Sequence, residues 1–507
     1  MVSAGTWSVA LSGLEGKLVE VEASLASGLP RTVIVGLPDT SLNEARDRAR
    51  AALEGVQVTW PDKRVTINLS PASLPKMGSH YDLAVATAVL AAMEKVPSEL
   101  ARRYVFLGEL GLGGQVRRVR GLLPALLAVR EAGLETVVIP AGQQREASLV
   151  EGLTAWPVGN LADVVELLNG RPVPPYPDDE APEVAPPAPP DMADVQGHGD
   201  GRWVMEVAAA GRHHVFLHGA PGVGKTMLAS RLPGILPELS SSEAIEVSAM
   251  HSLAGIELTG GLIARPPFAD PHHNSTMASL VGGGTGEIRP GAISLAHRGV
   301  LLLDEAPEFG ARLLDALRTP LENGWVTVAR ARQTVRFPAR FQLVLASNPC
   351  PCGHAGVAER ECHCSATRIR AYQERISGPV LDRIDIRHQM MPLKRAFLRS
   401  TDEVPESSAS ILARVLDARD RQARRLRGTP WDTNGEVAGS YLRKLPLPPD
   451  VGPIEKALAR GTLSARGVDK VLRLSWTLAD LAGADRISME HVRTAMVMRQ
   501  GETARAA

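Results

Sequence analysis

Several features are scarce or missing in this chain of 507 residues, and each absence limits the class of protein that it can be. The formal net charge is zero, because 56 Lys and Arg residues balance 56 Asp and Glu residues. The chain therefore does not act through overall basicity, although a local basic surface could still bind nucleic acid. No stretch approaches the roughly 18 to 20 apolar residues of a membrane span. The N-terminal segment lacks a basic start followed by an apolar run, so we expect no signal peptide, no membrane partner and a cytoplasmic location.

Cysteine is also scarce, since four residues are too few for a disulfide-stapled domain. All four lie within fifteen residues, in the stretch NPCPCGHAGVAERECHCS that begins at Asn348. Free cysteines usually behave as small buried hydrophobes, but this loop is polar and has no apolar pattern to bury. Two Cys-x-Cys pairs predict a structural Zn²⁺ site, with His354 or His363 as spare ligands, and a redox switch is the alternative. The candidate zinc ligands are Cys350, Cys352, Cys362 and Cys364.

Proline marks the main boundary in the chain. Residues 171–190 contain nine prolines in twenty positions, a composition that favours an extended connector over a packed core. After it, the stretches HHVFLHGAPGVGKTMLASRL, RGVLLLDEAPEF and FQLVLASNP indicate short buried strands that alternate with helices, which is typical of a parallel α/β sheet. From about Asp432 the apolar spacing becomes helical, with Ser464 and Ser488 as expected N-caps.

The stretch GAPGVGKT matches the glycine-rich phosphate loop in full. Its residues are Gly219, Ala220, Pro221, Gly222, Val223, Gly224, Lys225 and Thr226. Glycines permit a tight turn whose backbone N–H groups surround phosphates at a helix N-terminus. Lys225 would reach the β- and γ-phosphates of ATP, and the Thr226 hydroxyl would bind Mg²⁺. A chance glycine turn is a weak alternative, because a strand and a helix flank the motif.

Polar residues end two later strands. Asp304 would hold Mg²⁺ through water, and Glu305 would orient or deprotonate the attacking water. An acidic pair that merely opens a helix is the alternative. Asn348, which ends the next strand, would contact the γ-phosphate or the water, although an Asn-Pro pair alone is more often a turn former. The order of the motifs favours the catalytic interpretation for all three residues.

These motifs, in this order and followed by a helical lid, resemble the AAA+ ATPases. The strings PHHNSTMASLVGGGTGEIRPGAISLAHRGVLLLDEAPEF, NPCPCG and RISGPVLDRIDI resemble the magnesium-chelatase-like subgroup and, within it, the ComM/YifB family. The resemblance implies that Arg383, in PVLDRIDI, is an arginine finger that reaches the γ-phosphate of a neighbouring subunit. It implies that Arg466, in LSARG, is the lid arginine called sensor two. A finger acting in trans implies a ring, and for this family a homohexamer. Without the resemblance, each arginine would be interpreted as a solvated charge or an ion-pair partner.

The N-terminal domain resembles the catalytic domain of Lon protease, through PASLPKMGSHYDLAVA and LGELGLGGQVRRVRGLLPALLA. In our alignment His80 occupies the place of the nucleophilic serine, and Leu123 occupies the place of its lysine partner. Ser79 has no obvious lysine base, so we expect no peptidase activity. The predicted fold class is α/β, and the chain is predicted to divide into five segments. The divisions are residues 1–170 (Lon-like α+β domain), 171–196 (linker), 197–392 (AAA+ core with a parallel sheet and a cysteine insertion at 350–364), 393–430 (helical connector) and 431–507 (helical lid).

Two basic stretches are candidates for contact with a polynucleotide. Residues 322–338 alternate apolar and polar positions like a hairpin, with Arg330 and Arg332 near the tip. Related ring helicases point such a hairpin into the pore, where basic tips would track a phosphate backbone. An ordinary hairpin with solvated arginines is the alternative. The second stretch, residues 414–427, has spacings that predict the ion pairs Asp417–Arg421 and Asp420–Arg424 on a solvated helix face.

The sequence as a whole predicts a ring-forming ATPase that translocates on single-stranded or branched DNA. The family resemblance implies helicase and branch-migration activity during DNA uptake and recombination. One alternative is the motor subunit of a metal chelatase, against which the Lon-like domain argues. The other is a protein-remodelling chaperone, which needs an aromatic pore loop that SLVGGGTGEIRPG does not offer.

Overall fold

The structure is a computed structural model. It describes residues 2–36, 40–177, 188–284, 288–330, 333–356, 361–392, 405–448 and 452–501. In the N-terminal domain the strands are β1 (Val2–Ser12), β2 (Glu15–Ala26), β3 (Arg31–Val35), β4 (Arg64–Ser70), β5 (Val105–Phe106), β6 (Glu109–Leu110), β7 (Val116–Arg117), β8 (Thr136–Pro140) and β9 (Thr154–Val158). The helices of this domain are α1 (Thr40–Gly55), α2 (Asp82–Ala92), α3 (Ser98–Ala101), α4 (Leu122–Glu131), α5 (Gln144–Ser148) and α6 (Leu161–Leu168).

The N-terminal domain is built on a mixed seven-stranded sheet in the order β3-β4-β2-β1-β5-β8-β9. β2 pairs antiparallel with both β1 and β4, whereas the other neighbours are parallel. The alternation of partly buried and fully buried residues along β2 and β4 explains why these segments form strands with one face on the core. Every residue of α2 is buried, which fits its almost wholly apolar sequence DLAVATAVLAA.

The second module begins at residue 188 and contains the phosphate loop. Its strands are β10 (Val215–Gly219), β11 (Phe268–Ala269), β12 (Gly282–Gly283), β13 (Arg289–Pro290), β14 (Val300–Leu303), β15 (Trp325–Arg330), β16 (Gln333–Pro338), β17 (Gln342–Ser347) and β18 (Ile386–Met390). Its helices are α7 (Gly199–Gly211), α8 (Lys225–Ala229), α9 (Ser241–Ala254), α10 (Met277–Val281), α11 (Ala292–Leu295), α12 (Ala311–Ala316), α13 (Arg318–Asn323), α14 (Ala366–Gln373) and α15 (Gly378–Leu381).

Five strands of this module form a parallel sheet in the order β11-β14-β17-β10-β18. All residues of β14 and β17 are buried, because helices and the β15–β16 hairpin cover the two faces of the sheet. Since parallel strands end at one common edge, the segments that follow β10, β14 and β17 meet there. This edge carries the predicted nucleotide site.

The C-terminal part of the chain is helical, as predicted. The helices are α16 (Ser408–Arg425), α17 (Gly439–Leu442), α18 (Gly452–Ala459), α19 (Ala465–Leu481) and α20 (Met489–Gln500). Ser464 and Ser488 cap α19 and α20 with their side chains, which confirms both predicted N-caps. The buried residues of these helices continue the core beneath β10 and β18.

The predicted helix ion pairs in α16 were wrong. Arg421 donates to the backbone carbonyl of Asp480, and Arg424 donates to the backbone carbonyl of Asp420 rather than to its carboxylate. Arg425 makes two hydrogen bonds, of 2.5 and 2.6 Å, to the carboxylate of Asp480 in α19. For Arg421 the cause is tertiary packing, because α16 lies against α19, whose acceptors compete with those of its own helix. For Arg424 a backbone carbonyl of its own helix takes the place of the carboxylate.

The two modules share a hydrophobic core. The apolar cluster around α4 includes Ala249 of α9 and Leu258 from the second module. The turn between β1 and β2 also packs on the β15–β16 hairpin, where Ser12 Oγ accepts a hydrogen bond of 3.3 Å from Gln333. A β-carbon at Gly13 would lie 2.8 Å from the carbonyl oxygen of Arg336, so this turn needs glycine.

The described ends of the proline-rich linker are packed. The Tyr176 hydroxyl donates to the Asp163 carboxylate at 2.5 Å, which ties the start of the linker to the N-terminal domain. At its other end Asp191 accepts hydrogen bonds from the backbone of Ala193 and Ser408. The extended connector that the sequence predicts is therefore anchored on both sides, and its residues 178–187 lie outside the described part. None of the described helices is long and apolar enough to cross a membrane.

Candidate nucleotide-binding site

The phosphate loop lies between the end of β10 and the start of α8, as predicted. Gly222 and Gly224 adopt left-handed φ angles of 77° and 85°, which side chains other than glycine rarely adopt. Lys225 begins α8, and its amine donates to the carbonyl oxygens of Gly219 (2.8 Å) and Ala220 (2.9 Å). The same amine donates to Oδ1 of Asn348 at 3.0 Å. The structure thus joins the phosphate loop to the polar end of β17.

The predicted Mg²⁺ ligands contact each other. The Thr226 hydroxyl donates to the Asp304 carboxylate, so two oxygen donors of the kind that Mg²⁺ prefers meet at one point. The other carboxylate oxygen of Asp304 accepts a hydrogen bond of 2.8 Å from the backbone N–H of Glu305. The donor set therefore fits a hydrated Mg²⁺, which would neutralise phosphate charge when bound.

Burial shapes the electrostatics of this edge. It lowers the pKa of Lys225, while Asp304 and Glu305 act in the opposite direction. Burial raises the pKa of Asp270, and the negative charge of Asp304 adds to that rise. Two carboxylates near one amine leave the site receptive to a cation in addition to Lys225.

Glu305 has an unusual conformation and a partner that the sequence did not predict. Its φ is 52°, a left-handed value that is uncommon for a residue with a β-carbon. Its Oε2 lies 3.1 Å from Nδ1 of His273, in the motif PHHNST. That motif carries the family resemblance, and its pair of histidines was the available signal for this contact.

Arg383 and Arg466 lie together in a second site. Arg383 is 9 % exposed and its guanidinium contacts Glu322, and Arg466 lies 3.8 Å from the same carboxylate. Both arginines line a cavity of about 510 Å³ between α13 and α19. Its basic lining residues are Arg212, Arg340, Arg383, Arg466, Lys470 and Arg473. The phosphate loop, Asp304 and Asn348 do not line this cavity, so the described part of one chain holds the two sets of residues apart.

The four thiols of the cysteine loop meet as predicted. All four sulfur atoms lie within 4.8 Å of one another, and the cysteines are free. The Sγ–Sγ distances among Cys350, Cys352 and Cys362 are 3.3, 3.7 and 3.6 Å. Four thiolates around Zn²⁺ at about 2.3 Å would be about 3.8 Å apart, so the cluster fits a tetrahedral Zn²⁺ site after small movements.

The cysteine loop also touches the phosphate loop. Gly353 has a φ of 80°, and a β-carbon there would overlap the ring of Pro221. Gln373 in α14 donates a hydrogen bond of 3.1 Å to the carbonyl oxygen of Pro349, which fixes the start of the loop. The loop was expected to be an insertion between Asn348 and Arg383, and the structure adds a direct contact with Pro221.

β15 and β16 form the predicted hairpin and pair from Trp325–Pro338 to Arg330–Gln333. Arg330 is exposed next to the tip, and Nη2 of its guanidinium lies 2.8 Å from the place of a β-carbon on Gly283. The other predicted DNA contact, Arg332, lies outside the described residues. Arg336 lies 5.3 Å from the ring centre of Trp325, farther along the same hairpin.

The positions that correspond to the Lon dyad are occupied by structural residues. Nε2 of His80 lies 2.7 Å from the carbonyl oxygen of Val9. Leu123 is fully buried, and its N–H lies 3.1 Å from the Glu146 carboxylate and 3.3 Å from the Ser252 hydroxyl. Ser79 donates to Glu109. None of these contacts is a serine–lysine pair.

Three family models match the chain. They are described as "Magnesium chelatase, subunit ChlI" (residues 191–398), "Subunit ChlI of Mg-chelatase" (residues 21–143) and "Magnesium chelatase, subunit ChlI C-terminal" (residues 405–499). The second model lies inside the N-terminal domain. The presence of that domain therefore does not distinguish this chain from a chelatase subunit, contrary to the expectation from sequence. Together with the phosphate loop and the parallel sheet, these matches define a magnesium-chelatase-like AAA+ ATPase.

Relatives that match nearly the whole chain show which family within the magnesium-chelatase-like class it belongs to. An uncharacterised protein of Mycobacterium tuberculosis is 49 % identical over 97 % of this chain and 98 % of its own length. The competence protein ComM of Haemophilus influenzae is 39 % identical over 97 % and 96 %, and the uncharacterised protein YifB of Escherichia coli is 39 % identical over 96 % and 95 %. The chain belongs to the ComM/YifB family. Lon protease of Buchnera aphidicola is 26 % identical over 30 % of this chain and 21 % of its own length.

Proposed function

We propose that this chain forms a homohexameric ring that couples ATP hydrolysis to translocation on DNA, with helicase and branch-migration activity in DNA uptake and recombination. The observation that supports a ring is that one chain holds the two predicted parts of the ATPase site apart. Lys225, Thr226, Asp304 and Asn348 form one cluster, whereas Arg383 and Arg466 line another cavity. A second copy that presents its basic cavity to the first cluster would complete the site.

In this arrangement each residue has a defined role. Lys225 and the loop amides bind the phosphates, and Thr226 with Asp304 holds Mg²⁺, which offsets phosphate charge when bound. Glu305 accepts a proton from the attacking water, and Asn348 positions that water or the γ-phosphate. Arg383 and Arg466 of the neighbouring copy stabilise charge that develops on the transferred phosphoryl group.

The hairpin supports the proposal that DNA is the polymer on which the protein translocates. Arg330 is exposed beside the tip, while Val326, Val328, Val335 and Phe337 anchor the hairpin in the core. A base that is packed in the core, with an exposed arginine beside the tip, suits contact with a phosphate backbone, which requires positive charge and no particular base sequence. The similarity to ComM over nearly the full chain favours this function over a metal-chelatase motor.

The test is the ATPase rate of the full chain with and without single-stranded DNA. We expect DNA to stimulate turnover, and we expect Arg330→Ala to weaken the stimulation by raising the DNA concentration needed for half of the effect. Arg336→Ala is the matched control, because it removes the same charge from the same hairpin away from the tip. A wild-type rate that DNA does not change would contradict a DNA motor and would leave the chelatase or chaperone functions.

We also propose that the four cysteines bind one structural Zn²⁺ per chain. A closed four-thiolate site would order a loop that has almost no apolar core of its own, and the contact between Gly353 and Pro221 would pass that order to the phosphate loop. A Cys362→Ser, Cys364→Ser double variant should therefore lose the metal and bind ATP more weakly.

Elemental analysis of the purified protein tests this zinc site directly, with His363→Ala as a control that changes the same loop and keeps all four thiols. Wild-type protein with well under one zinc per chain, together with normal nucleotide affinity in the double variant, would contradict the proposal and favour a redox role.

A further inference from the structure

The segment that carries Arg383 is held at its backbone by charged side chains from the helical lid. Nζ of Lys470, in α19, donates a hydrogen bond of 2.7 Å to the carbonyl oxygen of Arg383. Nη1 of Arg499, in α20, donates a hydrogen bond of 2.7 Å to the carbonyl oxygen of Ile384, the next residue. Two lid helices therefore contact two consecutive peptide groups at the predicted arginine finger.

A buried ion pair fixes the Lys470 amine in this position. The same Nζ lies 2.8 Å from Oδ1 of Asp385, whose side chain is 2 % exposed. The other carboxylate oxygen, Oδ2, accepts a hydrogen bond of 2.9 Å from the backbone N–H of His214, which directly precedes β10. Because it is costly to leave one charge of a buried pair without its partner, the amine has little freedom to move away from the finger segment.

The sheet holds the other side of the same segment. The backbone N–H groups of Asp385 and Ile386 both donate to the carbonyl oxygen of His214 at 3.0 Å, and β18 begins at Ile386. The backbone of residues 383–386 is therefore bound on one side by the start of β10 and on the other side by the lid.

Backbone placement decides whether an arginine finger reaches its target. In the proposed ring, the Arg383 guanidinium must leave Glu322 and contact the γ-phosphate that the neighbouring copy binds. We expect side-chain torsions to make this movement, because the backbone that follows Arg383 is bound on both sides. The guanidinium must then come within hydrogen-bond distance of the phosphoryl group, and a displacement of about 1 Å can cost about a hundredfold in rate.

Lys470 and the predicted lid arginine, Arg466, lie on one face of α19. They are four residues apart, a spacing that places side chains on the same side of a helix. Both line the cavity of about 510 Å³ that Arg383 also lines. Arg466 lies 3.8 Å from Glu322, the side-chain partner of Arg383, whereas Lys470 contacts the Arg383 backbone. One lid helix thus meets both the backbone and the side-chain partner of the predicted finger.

We propose that Lys470 is a positioning residue that sets the Arg383 backbone for contact with the nucleotide of the neighbouring subunit. This inference rests on the proposed function, in which Arg383 acts in trans. Lys470 acts through Arg383 and not through the nucleotide that its own chain binds. Loss of Lys470 should therefore slow hydrolysis at the adjacent site and leave nucleotide binding by its own chain unchanged.

The test uses a Lys470→Met, Asp385→Asn double variant of the full chain. Removal of both charges avoids a buried carboxylate without its cation, and methionine cannot donate to the Arg383 carbonyl oxygen. We expect kcat for ATP to fall about tenfold or more at unchanged KM and unchanged nucleotide affinity. Arg443→Met is the matched control, because it removes a lid cation that pairs with Asp469 instead. Its rate should stay within about twofold of wild type.

Mixed rings distinguish a positioning role from a general defect of the lid. The double variant should recover turnover when it is mixed with Lys225→Ala, because an intact finger then meets an intact phosphate loop at some interfaces. It should recover none when it is mixed with Arg383→Ala, since neither protein supplies a placed finger. A damaged lid would impair the nucleotide site of its own chain, so that nucleotide affinity would fall and neither mixture would recover.

Two groups of results would overturn the role of Lys470. Wild-type turnover in the double variant beside a slow Arg383→Ala protein would overturn this inference alone, and so would a loss of nucleotide affinity without recovery in either mixture. Full turnover in Arg383→Ala would overturn the proposed finger and this inference together.

Discussion

The two modules differ in what occupies their predicted catalytic positions. At the predicted nucleotide site the side chains follow the ends of β10, β14 and β17 and contact one another, as Lys225 does with Asn348 and Thr226 with Asp304. At the Lon-like site the corresponding positions are occupied by residues that serve packing. Leu123 is fully buried, and its N–H lies within hydrogen-bond distance of Ser252 of the other module. The comparison teaches that positions aligned with a catalytic dyad can form part of a contact between modules, where they are close-packed and shielded from water.

The largest expected effect comes from the nucleotide site. Lys225→Ala and Glu305→Gln should both reduce ATP turnover by about a hundredfold or more, for different reasons. The first removes a charge that binds phosphate, so nucleotide affinity should fall with it. The second keeps every phosphate contact, so ATP should stay bound and the ring should stay assembled. Nucleotide binding and particle size measure the difference, and an equal loss of affinity in both variants would contradict the assigned roles.

The second prediction tests whether the basic cavity serves a neighbour. Arg383→Ala should bind ATP and hydrolyse it about a hundredfold more slowly, because a finger in trans supplies transition-state charge and little ground-state affinity. Mixing it with Lys225→Ala should recover part of the activity at interfaces where an intact loop meets an intact finger. Full activity in Arg383→Ala alone would remove the assignment.

The third prediction concerns the buried residue Leu123, which our alignment places at the position of the Lon lysine. Leu123→Lys should lower the free energy of unfolding by about 3 kcal/mol or more, because an amine would replace an apolar side chain without a carboxylate to spare. Glu146 is the nearest candidate, but its Oε1 lies 3.1 Å from the Leu123 N–H and its Oε2 accepts from Gln143 at 3.1 Å. Leu123→Met should cost less than about 1.5 kcal/mol. Chemical denaturation measures both, and equal stability of the two variants would show that the site is less enclosed than its burial indicates.

The smallest expected effect is at Ser79. Ser79→Ala should leave ATP turnover within about twofold of wild type, because the hydroxyl contacts Glu109 in the N-terminal domain and no nucleotide-site residue. Incubation with an unfolded protein and ATP should yield no cleavage with either chain. ATP-dependent cleavage that disappears in Ser79→Ala would show that the N-terminal domain is a peptidase after all.

Contiguous motifs were predictable from sequence, whereas contacts that depend on register and packing were not. The phosphate loop, the acidic end of β14 and the N-caps at Ser464 and Ser488 each follow from local chemistry within a few residues. The contact between His273 and Glu305 requires the alignment of two strands that the sequence separates by 32 positions. In α16 the local spacing predicted the wrong partner for Arg421, because an acceptor on the packed helix α19 outweighed a weak pair along one helix.

The placement of Arg466 beside Arg383 also needed the fold. In sequence Arg383 belongs to the predicted AAA+ core and Arg466 to the predicted helical lid, and the link between them is Glu322, at the end of α13. No local pattern connects these three positions, so the resemblance could imply a role for each arginine without indicating that they share one cavity.

The shared core at α4 and α9 has an evolutionary consequence. Loss of the N-terminal domain would strip Ala249 and Leu258 of their apolar neighbours and leave Ser252 without its partners on Glu146 and Leu123. A gene without the N-terminal domain would thus encode a protein with a newly exposed apolar surface, and we expect that protein to aggregate before it assembles. The two modules therefore cannot be separated by a deletion without a loss of stability, because the N-terminal domain covers apolar surface of the second module.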